Sequence, residues 1–159
     1  MSVIEPGTSV PEFKLAREDG SSFTEQDLLG QYTVFVFYPF AFSPVCTDQL
    51  SLYEGALGEL AERGVKLYGV SCDATWSQKA FKDKLGVSSE QLSDFEPKGA
   101  TCASFGVLHA GGFADRALVI VGPDGVVRWS FQAESPGELP ALKLLRDGVD
   151  AALGEPAAA

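Results

Sequence analysis

The apolar residues of the chain fall into dense runs separated by segments with helical spacing. Residues 32–38, YTVFVFY, form a continuous β-branched and aromatic run, which is typical of a strand buried on both faces. Residues 65–71, VKLYGVS, predict a second buried strand. Residues 117–132 contain two more runs around the turn sequence GPDG, which predicts a β-hairpin. These runs predict the inner part of a sheet.

The segments between the runs predict helices. From Ser43 to about Arg63 the apolar spacing is helical, and Gly64 ends it. Residues 74–86 predict a second helix and residues 98–106 a short third one. Residues 138–153 predict an amphipathic helix that closes the chain.

The N-terminal part predicts a small arm ahead of this pattern. Residues 13–24 indicate two short strands around the turn Asp19–Gly20, and residues 25–31 a turn of helix. The order after the arm is β-α-β-α-(α)-β-β-α, which implies a mixed sheet with helices on both faces. We therefore predict a thioredoxin-like α/β fold in one domain over residues 1–159, with a frayed tail at about 154–159. In open α/β sheets the chemistry lies beyond the carboxyl ends of inner strands, where this order places Cys46.

Composition and charge exclude several classes of partner. The 159 residues include 12 basic and 22 acidic side chains, a net charge of −10. Such a surface repels nucleic acid and anionic membranes, so we expect neither as a partner. The apolar runs are too short to span a bilayer, and the N-terminus lacks the basic start and apolar stretch of a signal peptide. We predict a cytoplasmic protein.

Three cysteines, Cys46, Cys72 and Cys102, are the candidate redox residues. They form no CxxC pair and no metal-ligand spacing, and their odd number argues against a structural disulfide framework. The one histidine, His109, lies in the loop sequence GVLHAGG, where a structural or surface role is expected. We therefore predict no metal and no organic cofactor.

The segment PFAFSPVC singles out Cys46 as the reactive thiol. Ser43 suits the N-cap of the following helix and the next proline suits its first position, which places Cys46 in the first turn. Free N–H groups and the helix dipole there favour a thiolate, the nucleophilic form of cysteine. A free cysteine is often only a small buried hydrophobe, but this context favours reactivity. We expect Pro39, Phe40 and Phe42 to wall the sulfur and limit water.

The same segment matches the motif P-x-x-x-[T/S]-x-x-C of the peroxiredoxins, at Pro39, Ser43 and Cys46. The sequence FADRALVIVGPDGVVRW resembles the segment that carries the family's active-site arginine, which makes Arg116 the match. The N-terminal arm is also similar. LSDFEPKGATCASFGV and SPGELP resemble the one-cysteine group related to alkyl hydroperoxide reductase E. The resemblance spans the chain from about residue 7 to residue 153.

This resemblance implies a thiol peroxidase in which Cys46 attacks the peroxide and becomes a sulfenic acid. Arg116 would hold the thiolate and the peroxide, Ser43 would hydrogen-bond the peroxide, and Pro39 would shield the sulfur. Gln49 stands where many relatives carry glutamate, and it would orient Arg116 by a neutral hydrogen bond.

The resemblance also implies the partners. Hydrogen peroxide, organic hydroperoxides and peroxynitrite are the expected substrates, and the apolar Phe40 and Phe42 favour organic peroxides. An external thiol would reduce the sulfenic acid, either a low-molecular-weight thiol or a thioredoxin- or glutaredoxin-like protein. A homodimer is the implied assembly.

Internal reduction by a second cysteine is the alternative to an external thiol. Cys72 follows the strand at 65–71 and would emerge at the same sheet edge as Cys46, so it is the better candidate. Cys102 has the weaker case, and Ser51 occupies the position five residues after Cys46. The other reading is that Cys72 and Cys102 are buried spectators.

Four rival functions are weighed against the peroxidase. A disulfide reductase is disfavoured because positions at CxxC spacing from Cys46 are Ser43 and Gln49. A binding module would not need this constellation. A peroxide-sensing redox switch or a single-cysteine thiol–disulfide exchange protein would keep it, and both stay open. Arg128 lies inside a strand, where a solvated or stacked arginine is expected. Tyr53, Trp76 and Phe105 are expected in the core or an interface.

Overall fold

The apolar runs become the strands of one mixed sheet in the computed structural model, which describes residues 2–154. Its seven strands are β1 (Lys14–Ala16), β2 (Ser22–Thr24), β3 (Tyr32–Phe37), β4 (Val65–Ser71), β5 (Glu90–Ser93), β6 (Ala117–Val121) and β7 (Val127–Gln132). The helices are α1 (Pro44–Glu54), α2 (Leu57–Glu62), α3 (Thr75–Leu85), α4 (Ala100–Ser104) and α5 (Leu142–Ala152), with a 3₁₀ turn at Glu25–Leu28.

The sheet has the order β2-β1-β5-β4-β3-β6-β7. Strands β3, β4 and β5 run parallel, whereas β6 and β7 on one side and β1 and β2 on the other pair antiparallel. The N-terminal hairpin, the central strands and the C-terminal hairpin are therefore confirmed. Because β3 is an inner strand, the segment that follows it leaves from the middle of the sheet.

Two features differ from the sequence prediction along the first helical segment and β5. The predicted helix from Ser43 to Arg63 is two helices, because the N–H of Ala56 bonds the carbonyl of Tyr53 three residues back and Gly55 weakens helix propensity there. Strand β5 was missed because EQLS has no apolar run. Its strand conformation comes from parallel pairing with β4.

The last helix begins later than predicted. Residues 138–141 lie outside it, and Ala141 is an extended N-cap with φ −63° and ψ 150°. Pro140 disfavours helical backbone in the residue before it. Its carbonyl also accepts a hydrogen bond of 2.8 Å from the buried hydroxyl of Tyr53, which anchors this segment to α1.

Alternation along β3 divides the core between two faces of the sheet. Val34 and Val36 pack with α1, α2 and α5, on what we call the α1 face. Phe35 and Phe37 point the other way and pack with the N-terminal arm and Phe105 after α4, on the α4 face. Helices therefore cover both faces, as predicted. Residues 155–159 of the predicted frayed tail lie outside the described residues.

Candidate active site

The loop between β3 and α1 carries the candidate site, and its backbone is unusual. Phe42 has φ +69°, in the left-handed region that costs a non-glycine residue roughly 1–3 kcal/mol. Its ring packs on Phe81 of α3 at 5.1 Å between centroids, which helps to hold this conformation. The N–H of Ala41 donates to the Asp73 carboxylate at 2.8 Å, which ties the loop to the end of β4. No motif or apolar pattern predicted this strained turn.

Ser43 is the N-cap residue of α1, with φ −68° and ψ 149°, and Pro44 follows it at the first helical position. The predicted N-cap position of Ser43 is confirmed. Within residues 2–154 the Ser43 side chain accepts no helix N–H. Its hydroxyl donates to the carbonyl of Phe40 at 3.0 Å, because the loop turns back on itself before the helix.

Cys46 lies in the first turn of α1, as predicted, and is fully buried. It shares a small apolar cluster with Tyr38, Leu50 and Phe81 on the α1 side of the sheet. Its sulfur accepts a hydrogen bond of 3.2 Å from Nη2 of Arg116.

Arg116 precedes β6, and its side chain is held by three hydrogen bonds. Nε donates to the carbonyl of Pro136 at 2.8 Å, Nη1 to Oε1 of Gln49 at 2.7 Å, and Nη2 to the sulfur of Cys46. The side chain is buried, and within residues 2–154 it forms no ion pair with a carboxylate. A buried charge is costly unless compensated, and the three acceptors of these hydrogen bonds stabilise the guanidinium.

Gln49 lies one turn after Cys46 on the buried side of α1. Its carbonyl oxygen fixes one branch of the guanidinium, as the sequence predicted. Its amide nitrogen is buried and finds no hydrogen-bond partner among the described residues. Burial raises the pKa of the neighbouring Tyr53, which keeps that phenol neutral.

The three residues predicted to shield the Cys46 sulfur differ in burial and in the side chains that they contact. Pro39 is buried two residues after the end of β3. The rings of Phe40 and Phe42 are about half exposed, each at 48%. Phe40 packs on Phe113 at 4.9 Å between ring centroids, and Phe42 packs on Phe81. Phe81, which neither motif nor spacing singled out, contacts the Cys46 cluster directly.

Comparison with known proteins places this constellation in a family. The AhpC/TSA family profile matches residues 6–130. The chain belongs to this family. It is therefore a peroxiredoxin, an oxidoreductase that reduces peroxides at the expense of thiols. The finer assignment to the alkyl hydroperoxide reductase E group stays a prediction.

Individual relatives agree with this membership. Alkyl hydroperoxide reductase C of Amphibacillus xylanus is 36% identical over 135 residues, covering 80% of this chain and 71% of the relative. Peroxiredoxin Bcp of Escherichia coli is 30% identical over 139 residues, covering 87% and 85%. The crystal structure of Enterococcus faecalis AhpC aligns with a TM-score of 0.81 at 26% identity, covering 97% and 98%. The thioredoxin-like fold is thereby confirmed.

The other two cysteines of this peroxiredoxin contact each other. Their sulfur atoms lie 4.0 Å apart, both residues are buried, and the Asp94 carboxylate completes a group whose ligand atoms all lie within 4.8 Å. The prediction of no cluster among the cysteines was therefore wrong. Cys72, Asp94 and Cys102 are distant in sequence, and only the pairing of β4 with β5 and the docking of α4 bring them together.

The Cys72–Cys102 contact lies on the other side of the sheet from Cys46. Val70 and Cys72 belong to the core of the α4 face. Ser71 between them points to α3, where its hydroxyl accepts a bond of 2.9 Å from Nε2 of Gln78. Cys46 packs on Phe81 of that same α3. The shared sheet edge predicted for Cys46 and Cys72 exists, but alternation sends their sulfur atoms to opposite faces.

Three residues outside the site complete the comparison with the sequence prediction. Arg128 is exposed and donates to the Asp124 carboxylate at 3.1 Å, in agreement with a solvated strand arginine. His109 stacks on Phe113 at 4.2 Å, and its Nδ1 accepts the N–H of a loop glycine, which is a structural contact. Trp76 is 82% exposed, so it is not a core residue of this chain.

None of the helices in residues 2–154 combines the length and the apolar character that a bilayer crossing requires.

Proposed function

We propose that Cys46 is the peroxidatic nucleophile of this peroxiredoxin and that Arg116, Ser43 and Pro39 complete its site. The observation that supports this most strongly is the buried guanidinium of Arg116. It lies 3.2 Å from the Cys46 sulfur and has no carboxylate partner within the described residues. A neutral thiol would leave that cation uncompensated, whereas a thiolate compensates it.

The reaction follows from this arrangement. The Cys46 thiolate attacks one peroxide oxygen, an S–O bond forms as the O–O bond breaks, and the departing oxygen takes a proton to leave as water or an alcohol. Arg116 and the free N–H groups of the first helical turn are preorganised donors for the charge on the oxygens. Ser43 donates to Phe40, so its remaining lone pairs can accept the O–H of a hydroperoxide. The product on the enzyme is a Cys46 sulfenic acid.

The substrate preference is proposed from the exposed side chains of the loop between β3 and α1. Hydrogen peroxide, organic hydroperoxides and peroxynitrite all present the O–O bond that Cys46 needs. The half-exposed rings of Phe40 and Phe42 offer apolar surface next to the motif. We therefore expect organic hydroperoxides among the good substrates.

An external thiol is the proposed reductant of the sulfenic acid. Cys72 and Cys102 face the other side of the sheet, which supports neither as the first thiol to reach Cys46. A low-molecular-weight thiol or a thioredoxin- or glutaredoxin-like protein would then complete the cycle. The homodimer belongs to the same proposal, and the cytoplasmic location stays a prediction from the sequence.

The experiment is to map each cysteine after a brief oxidation. Fully reduced protein receives one equivalent of hydrogen peroxide and is quenched within seconds by an alkylating reagent. Mass spectrometry then reads the label on each cysteine. We expect Cys46 to gain one oxygen while Cys72 and Cys102 remain alkylated.

Two controls decide between the alternatives. C46S should consume no peroxide beyond the background rate, whereas C72S should consume it as the unchanged protein does. An unreacted Cys46 would overturn the proposal. Loss of label from Cys46 together with Cys72 or Cys102 would show an internal resolving thiol and overturn the one-cysteine cycle. Rapid oxidation without turnover by any thiol class would favour a peroxide sensor.

A further inference from the structure

The contact between Cys72 and Cys102 has no part in the proposed peroxidase cycle. The two sulfur atoms lie 4.0 Å apart although the residues are 30 positions apart in the chain. We propose that Cys72 and Cys102 form a second redox site, a dithiol that closes to an intramolecular disulfide without Cys46. The proposal does not depend on the function assigned to Cys46.

One residue fixes both halves of this dithiol. The N–H of Asp94 donates to the carbonyl of Ser71 at 2.8 Å, directly before Cys72. The Asp94 carboxylate accepts the N–H of Cys102 at 2.8 Å and the N–H of Thr101 at 3.1 Å. Disulfide formation needs the sulfur atoms to approach to about 2.05 Å. Since the backbones are already held together, side-chain rotation and small shifts can shorten the present 4.0 Å separation of the sulfur atoms to that bond length.

The two thiols differ in a way that assigns their roles. The S–H···S contact with Cys102 lowers the pKa of Cys72, and the positive charge of Lys98 acts in the same direction. The same contact and full burial raise the pKa of Cys102. Cys72 is also the more accessible of the two, at 6% exposure against 0%. Cys72 is therefore the attacking thiolate and Cys102 the thiol that closes the bond.

A low-molecular-weight disulfide is the oxidant class that suits this pair. The Cys72 thiolate attacks one sulfur of that disulfide, which forms a mixed disulfide and releases one small thiolate. Cys102 then loses its proton and attacks the Cys72 sulfur. The Cys72–Cys102 bond forms and the second small thiolate leaves, so the protein loses two electrons and two protons to the oxidant.

The surrounding groups favour a disulfide over a metal site. The Asp94 carboxylate is the third potential ligand of the cluster. Both of its oxygens already accept backbone N–H groups at the start of α4. That leaves two thiols, fewer than the three or four protein ligands of typical zinc sites.

The test uses full-length C46S, in which Cys72 and Cys102 are the two remaining thiols. The protein is equilibrated in buffers of reduced and oxidised glutathione at several ratios, with a chelator present so that no metal thiolate protects the sulfur atoms. After acid quenching and unfolding, free thiols are alkylated and mapped. We expect both labels to disappear together, with a mass loss of two hydrogens and a cross-linked peptide pair in a single chain.

Single variants on the same background test the assigned roles. In C46S/C102S we expect a mixed glutathione disulfide on Cys72, whereas in C46S/C72S Cys102 should react roughly tenfold more slowly. Circular dichroism checks that each variant folds, and the C46S result stands without them. Two alkylatable thiols at the oxidising limit, or two separate mixed disulfides, would overturn the proposal. Disulfide formation in the unchanged protein but not in C46S would overturn independence from Cys46.

Discussion

Two buried thiol environments of this peroxiredoxin follow neighbouring parallel strands, yet their electrostatic surroundings are opposite. Cys46, after β3, accepts a hydrogen bond from the guanidinium of Arg116. Cys72 and Cys102, after β4 and on α4, have the carboxylate of Asp94 among their nearest groups. The contact between the two thiols lowers the pKa of Cys72 and raises the pKa of Cys102, although both residues are buried. Burial alone therefore does not decide the reactivity of these cysteines.

The difference matches two kinds of chemistry. In the proposed peroxidase cycle, attack on a peroxide needs donors for the developing oxygen charge, and Arg116 would supply one of them. Disulfide exchange within a pair needs a fixed partner sulfur, which Asp94 supplies through the backbone of Cys102. We therefore assign Arg116 to the proposed peroxide reduction and the Cys72–Cys102 pair to the proposed disulfide formation. Changes to the charges around each site test this contrast.

The largest loss of peroxidase activity is expected for R116M. This substitution removes the charge and the hydrogen bond to Cys46 while it keeps a long apolar side chain. Loss of one preorganised donor at a reacting oxygen costs about 10²–10³-fold in rate, and we expect that loss in kcat/KM for hydrogen peroxide. Stopped-flow peroxide consumption measures it.

The matched control for Arg116 is R128M. Arg128 is an exposed arginine on β7 that pairs with Asp124, so its loss should leave peroxidase activity unchanged. R116K should fall between the two, because it keeps the charge and loses the planar fork. Equal losses in R116M and R128M would show that net charge matters and the Cys46 contact does not. The formation of the Cys72–Cys102 disulfide should be the same in all three variants.

A smaller effect is expected for Q49L. It deletes the acceptor that holds Nη1 of Arg116 at 2.7 Å. A hydrogen bond to a charged group contributes about 1.5–3 kcal/mol, and part of it will be recovered by rearrangement, so we expect roughly a tenfold loss of kcat/KM. Q49E keeps the acceptor and should retain more activity than Q49L. Because Gln49 acts through Arg116, Q49L in the R116M background should cost little more, and an additive loss would contradict a positioning role.

The smallest effect is expected for D94N, and it appears as a pH dependence of stability. Burial raises the pKa of Asp94 in the folded protein above its ordinary value. A raised carboxyl pKa adds stability at acid pH that is lost as the pH rises through the folded value. Asparagine does not titrate. The stability of the unchanged protein relative to D94N should therefore fall between about pH 4 and neutral pH, measured by urea unfolding.

D83N is the control for this slope, since Asp83 is an exposed acidic residue on α3 paired with Lys79. A difference between D94N and the unchanged protein that does not vary with pH would contradict the proposed effect of burial. The same D94N variant on the C46S background should form the Cys72–Cys102 disulfide less readily if the backbone bond to Cys102 holds the pair.

Sequence reasoning was most successful where the pattern is local. The run at β3, the cap at Ser43 and the glycine stop at Gly86 are each encoded within a few residues, and the structure confirms them. It failed at β5, whose EQLS sequence carries no strand pattern of its own and depends on β4. It also failed at the helix break near Gly55, where the residues on both sides have helical spacing.

At the candidate site, too, local features were predicted from the sequence and long-range contacts were not. The motif placed Cys46 in the first turn of α1, and the resemblance to the peroxiredoxins pointed to Arg116 and Gln49. Periodicity could not show that Arg116, 70 positions away, would reach the Cys46 sulfur without a carboxylate partner. Nor could periodicity show that the Cys72 side chain would lie on the face of the sheet that holds Cys102, opposite to Cys46. Local sequence determines strand period, helix starts and residue chemistry. Which distant side chains meet depends on strand register and on the alternation of faces, and only the tertiary structure decides those.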